Sequence, residues 1–114
     1  MKVTDIIEAL DAKVICGKHK LDLGVECAFA SDLMSDVLRI DSENMILLTG
    51  LANLQAIRTC EMSDINVAVF VRGKKILPEM IDLAEENEMV LLECDYSMYR
   101  ACGILFSKGI THVY

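Results

Sequence analysis

Val67-Ala68-Val69-Phe70-Val71 is an unbroken apolar run, with Asn66 before it and Arg72-Gly73-Lys74-Lys75 after it. Hydrophobicity without polar alternation marks a strand covered on both faces, the situation in parallel sheets whose crossovers are helices. Two other segments share this character. Met45-Ile46-Leu47-Leu48 is ended by Thr49-Gly50, and Val90-Leu91-Leu92 leads into Cys94-Asp95.

Helical signals separate these runs. Asn53 is placed to cap a helix that extends to about Met62, because its side-chain oxygen can accept from a free backbone N–H. Pro78 fits the first turn of the next helix, where its missing N–H costs nothing. That helix turns Met80, Leu83 and Ala84 inward and Glu85, Glu86 and Glu88 to solvent. After the third run, Asp95 or Ser97 opens a last helix. Its apolar positions Met98, Ala101, Cys102, Leu105 and Phe106 follow the i, i+3, i+4, i+7, i+8 pattern of a core-facing stripe. Lys108 suits its negative end, and Gly109 stops it. Strand and helix thus alternate three times. The expected fold is α/β, a mostly parallel sheet flanked by helices with right-handed crossovers, forming a single domain over residues 1–114.

The N-terminal half is less regular. Thr4 is expected to cap a short helix through Leu10, with Asp5 near its positive end and Ile6, Ile7 and Leu10 on one face. Ala12–Cys16 and Val25–Ala30 read as strands around a polar turn, Lys18–Gly24. They are expected to pair as an antiparallel hairpin or to extend the sheet. Ser31 or Asp32 is expected to cap a helical segment through Leu38, with Leu33 and Val37 on its apolar side.

The chain has 114 residues, of which 54% are hydrophobic and only 5% aromatic, with no Trp. Its core must be built from Val, Ile, Leu, Met and Ala. A small domain has much surface for its volume, so this surplus leaves apolar side chains outside. A homodimer about a two-fold axis is the expected consequence. The net charge of −7 repels phosphate backbones, and no basic stripe is present, which argues against nucleic acid. No apolar run approaches the roughly 20 residues that span a bilayer. Met1-Lys2-Val3-Thr4-Asp5 turns polar at once, without the apolar stretch of a signal peptide. A cytoplasmic location without membrane attachment is expected.

Signals for catalysis are weak. The five cysteines stand at 16, 27, 60, 94 and 102, an odd number with no C-x-x-C pair. Such spacing fits neither a disulfide scaffold nor a zinc or iron–sulfur site. Each thiol lies in an apolar stretch and reads as a small hydrophobe. His19 and His112 sit in no nucleophile–base arrangement, and the aspartates are dispersed. Met34, Met45, Met62, Met80, Met89 and Met98 read as core filler. No enzyme activity, metal or cofactor is expected.

One ligand site can be drawn. In open parallel sheets, ligands gather beyond the carboxyl ends of the strands. Thr49-Gly50-Leu51-Ala52-Asn53 brings backbone N–H groups to a helix start, which attracts anions. Arg72 and Lys74 end the next strand. Thr49, Gly50, Asn53, Arg72, Gly73 and Lys74 are therefore the candidate ligand residues, for an adenine nucleotide or another small anion. Neither a P-loop nor a G-x-G-x-x-G motif is present.

The order of these segments resembles DRTGG domains. The opening Met1–Leu10 followed by Ala12–Gly17 carries the likeness. So do Ser31–Leu38, Met45–Gly50, Asn66–Gly73, Pro78 with its helix, and Val90–Ser97 leading into the last helix. That family is similar to the N-terminal domain of HPr kinase/phosphorylase. Its members stand beside CBS domains in some pyrophosphatases and within some phosphotransacetylases. Freestanding copies also occur, some near genes for iron–sulfur hydrogenases. The resemblance implies a non-catalytic regulatory or dimerising module, contacting itself or a larger enzyme complex. The chain departs from the family pattern at Leu51-Ala52, where an Asp-Arg pair is usual. It departs again at Val71-Arg72-Gly73-Lys74, where Thr-Gly-Gly is usual. Losing those polar positions favours protein contact over a small-molecule pocket.

Overall fold

The computed structural model describes residues 1–114. The elements are α1 (Val3–Leu10), β1 (Lys13–Cys16), a 3-10 turn at Lys18–Lys20, β2 (Cys27–Ala30), α2 (Met34–Val37), β3 (Met45–Thr49), α3 (Leu54–Met62), β4 (Val67–Phe70), α4 (Pro78–Glu86), β5 (Val90–Glu93), α5 (Met98–Ser107) and β6 (Thr111–His112). They form one six-stranded sheet in the order β1-β5-β4-β3-β2-β6. All neighbours are parallel except β1, which runs antiparallel to β5 at one edge.

The chain's path decides which face each helix covers. From β2 to β5 it advances one strand at a time in one direction. A right-handed crossover repeated in one direction keeps its helices on one side of the sheet. After β5 the chain reverses and crosses to β6 beyond β2, which carries α5 to the opposite face. The core divides accordingly. Ala68, Phe70, Leu47 and Leu91 point into the cluster that contains Ile57, Met80 and Ala84 of α3 and α4. Val67, Val69, Ile46, Leu48, Val90 and Leu92 point into the cluster that contains Ile6 and Leu10 of α1 and Ala101 and Leu105 of α5. Every residue of β3, β4 and β5 is buried, as the unbroken apolar runs require.

Several local expectations hold. Asn53 Oδ1 accepts from Ala56 N at 3.1 Å, capping α3. Ser97 Oγ accepts from Arg100 N at 3.1 Å, so Ser97 rather than Asp95 caps α5. Pro78 occupies the first turn of α4.

Others are corrected. Of the two arrangements expected for the N-terminal strands, the hairpin is absent and extension of the sheet is what is found: β1 and β2 flank the central strands from opposite ends, one beside β5 and one beside β3. Gly17 is the pivot. It adopts φ +86°, and a Cβ there would stand 2.7 Å from the Met89 carbonyl oxygen, so only glycine lets the chain pass that close to β5. Thr4 does not cap α1. Its hydroxyl donates to Leu21 O, and the Asp5 carboxylate accepts from Lys2 N at 2.9 Å. Ser31 and Asp32 do not cap α2, whose flanking residue is Leu33. Ser31 Oγ accepts from Leu33 N in a tight local turn. Leu33 itself is exposed. Phe106 is also not a core residue. It sits at the margin of the α5 stripe and is 66% exposed. No helix is long and apolar enough to cross a membrane.

Candidate functional site

The carboxyl ends of β2, β3, β4 and β5 are tied together by one polar network. Asp32, just past β2, is its centre. Its Oδ1 accepts from Gly50 N at 2.6 Å and from Thr49 Oγ1 at 3.0 Å. Thr49 Oγ1 in turn accepts from Leu51 N at 3.1 Å. The Arg72 guanidinium lies across Gly50, where an added Cβ would come within 2.6 Å of Nη2. The same Nη2 stands 4.0 Å from Asp32 Oδ2, with both side chains about half exposed. An ion pair so open to water contributes little by itself.

Arg72 holds a left-handed backbone, φ +62°, which is uncommon for a residue with a side chain. Neighbouring bonds fix it there. Arg72 N donates to Tyr96 O at 2.8 Å, and Gly73 N donates to Cys94 O at 3.0 Å. The Arg100 guanidinium then stacks on the Tyr96 ring, 3.7 Å from its centroid.

Of the expected ligand residues, Thr49, Gly50 and Arg72 come together. Asn53 spends its side-chain oxygen on capping α3. Gly73 contributes backbone geometry, with φ +69°. Lys74 is exposed, and its side chain joins none of these bonds. Asp32 is the residue that motif reading missed. Ser31-Asp32 follows β2 as Thr49-Gly50 follows β3, and the two ends are adjacent because the strands pair. A cap-like sequence before an apolar segment concealed that role.

The network has a chemical consequence. The Gly50 N–H and the buried Thr49 hydroxyl are already satisfied by the Asp32 carboxylate. An incoming phosphate would have to displace it. Elsewhere every buried side-chain nitrogen and oxygen has a partner. Glu93, nearly buried at the end of β5, accepts from Ile76 N at 2.8 Å and lies 3.6 Å from Lys75 Nζ. It anchors the segment that leads into α4.

All five cysteines are free thiols. Burial pushes Cys60 up to about 12. Burial also raises Cys94 and Cys102, and it raises Cys16 together with the nearby Glu85 carboxylate. Such thiols stay protonated at neutral pH, the unreactive form. No group of three or more His, Cys, Asp or Glu side chains is arranged to hold a metal ion.

A second feature lies on the face covered by α1 and α5. Tyr99 is 91% exposed and Phe106 66%, although both lie within a regular helix. Beside them a cleft of about 110 Å³ opens between α5 and the β2–β6 edge, lined by Ala28, Ala30, Cys102, Leu105 and Phe106 among others. It is smaller than the roughly 300–1,000 Å³ typical of ligand pockets. An apolar cavity near 150 Å³ holds a benzene ring, so this cleft suits part of one side chain.

No protein-family model and no curated protein matches the chain. A solved structure is similar to it: the CBS and DRTGG domains of the regulatory region of Clostridium perfringens pyrophosphatase, complexed with the activator diadenosine tetraphosphate. The TM-score is 0.75 at 13% sequence identity. The match covers 91% of this chain and 45% of that one, so the chain spans about half the length of the structure it resembles. At that identity the likeness is one of fold: the chain has the α/β architecture found within a regulatory region.

Proposed function

We propose that this chain is a non-catalytic regulatory module of the DRTGG type, cytoplasmic, which acts by dimerising and by contacting a larger enzyme. The observation that carries this reading is the apolar strip on α5, where Tyr99 and Phe106 stand in solvent beside a cleft too small for a metabolite. Exposed aromatic residues beside an apolar hollow are what a protein interface leaves uncovered. The fold of a pyrophosphatase regulatory region supports the same role. Light scattering after size-exclusion chromatography tests it. Twice the mass of the chain at micromolar concentration is the expected result. A single-chain mass up to the millimolar range overturns it.

A second reading keeps the strand tips as a sensor for a nucleotide or other anion. Two observations favour it. Arg72 is held over Gly50 at those tips, and the similar regulatory region was solved with diadenosine tetraphosphate. Thermal-shift measurements with adenine nucleotides decide it. A ligand at one hundred times its dissociation constant stabilises a fold by about 2.7 kcal/mol. A shift that disappears in Arg72→Ala supports the sensor, and no shift with any nucleotide removes it.

A further inference from the structure

We infer that the outward face of α5 is the contact between two copies of this chain, crossing antiparallel about a two-fold axis that passes beside Cys102 and Gly103. This rests on the dimer proposed above and adds its surface and geometry.

The helix pattern is self-complementary. Tyr99, Gly103 and Phe106 stand at i, i+4 and i+7 and so share one side of α5, with Cys102 at its margin. Large side chains lie at the ends of this strip and small ones in its middle. Gly103 faces open space: an added Cβ would meet no atom within 4 Å. Small central residues let two helices approach closely. Placed antiparallel on a two-fold axis, each Tyr99 falls against Phe106 of the partner subunit, at the mouth of the apolar cleft. That cleft, of about 110 Å³, is sized for part of one ring. A two-fold contact requires this reciprocity, since the same patch must serve as knob and as hole.

Charge points to a second copy as well. The chain has 18 acidic residues and a net charge of −7, so most pairings of two copies oppose carboxylates. The α5 sequence, Met98–Ser107, contains none. Antiparallel packing sets Arg100 near the carbonyl-rich end of the partner helix, where a cation is favoured. Aromatic residues and arginine are the types enriched in interfaces.

The area is consistent with a dimer. Aromatic side chains carry about 150–250 Å² each. At 91% and 66% exposure, Tyr99 and Phe106 offer roughly 300 Å² per copy. Two copies thus supply about half of the ~1,200 Å² at which stable interfaces begin. Cys102, Gly103, Arg100 and the Ala30–His112 rim are positioned to provide the remainder.

Cys102 supplies the test. It is the one cysteine not fully buried, and the proposed axis brings it beside its symmetry mate. A short dimaleimide adds one thiol at each end without an oxidant. Treatment of the native protein at alkaline pH, where the raised Cys102 thiol begins to ionise, should give a covalent dimer on a denaturing gel. Cys102→Ser should abolish it. Tyr99→Glu should abolish it as well, and should give a single-chain mass by sedimentation with an unchanged circular dichroism spectrum. A dimer in solution that is neither captured through Cys102 nor split by Tyr99→Glu overturns this surface and leaves the dimeric module standing. A wild-type chain that is monomeric throughout overturns both.

Discussion

The two faces of the sheet are built differently, although the same strands supply both. One face carries α2, α3 and α4, laid down by three successive crossovers in one direction, and their inward side chains meet in a cluster of 18 buried residues. The other carries only α1 and α5 over a cluster of 15. On the first face, the exposed large hydrophobic residues Leu33, Leu38, Met62 and Leu77 lie at helix ends and in adjoining turns. On the second, Tyr99 and Phe106 occupy a continuous strip along one helix. Scattered apolar residues are normal on any protein, whereas an ordered strip has a use. The two faces therefore differ in how their large apolar side chains are left exposed: scattered at helix ends on one, aligned along a single helix on the other.

Two phenylalanines provide the sharpest comparison. Phe70 is fully buried in the three-helix face, and Phe70→Ala should cost about 3–5 kcal/mol in urea unfolding. Phe106→Ala, measured at dilutions where the chain is monomeric, should stay within about 0.5 kcal/mol. A large loss at Phe106 in the monomer would show that this residue belongs to the core and would erase the contrast.

The strand tips belong to neither face, and Asp32 holds them together. Asp32→Ala leaves Gly50 N and the Thr49 hydroxyl without their acceptor. It should lower stability by about 1–3 kcal/mol, read as a fall in the urea midpoint. No change would mean that water replaces the carboxylate without cost.

The helix caps allow a smaller and symmetrical test. Asn53→Ala on the first face and Ser97→Ala on the second should each cost about 1 kcal/mol. Equal losses show that the faces differ in packing and not in the quality of their helices. A much larger loss at Ser97 would make α5 dependent on its cap.

The sequence revealed what depended on local pattern. The runs in β3, β4 and β5 were legible because strands covered on both faces need no polar alternation. Asn53, Pro78 and Ser97 were legible because capping acts within one turn. What failed depended on distant contacts. Asp32 has the composition of a cap, but its carboxylate is taken by Gly50 on the neighbouring strand, a pairing set by sheet order. The partner of β1 is 75 or more positions further on, and Gly17 pressed against Met89 carries β1 to that edge. β6 is two residues long and has no pattern of its own. Phe106 satisfied the apolar periodicity of α5, but periodicity alone does not fix the limit of the buried stripe. At the candidate site, Thr49, Gly50 and Arg72 were legible as strand-end residues, while the acidic group that satisfies them was not.

The difference between the faces is tested most directly by backbone amide NMR spectra recorded across a dilution series. Shifts that move with concentration should fall on Met98–Ser107 and on the Ala28–Ala30 and Thr111–His112 rim, with α3 and α4 unchanged. Concentration-dependent shifts confined to α3 and α4, or none at all, would contradict the assignment of the α5 side as the contact face.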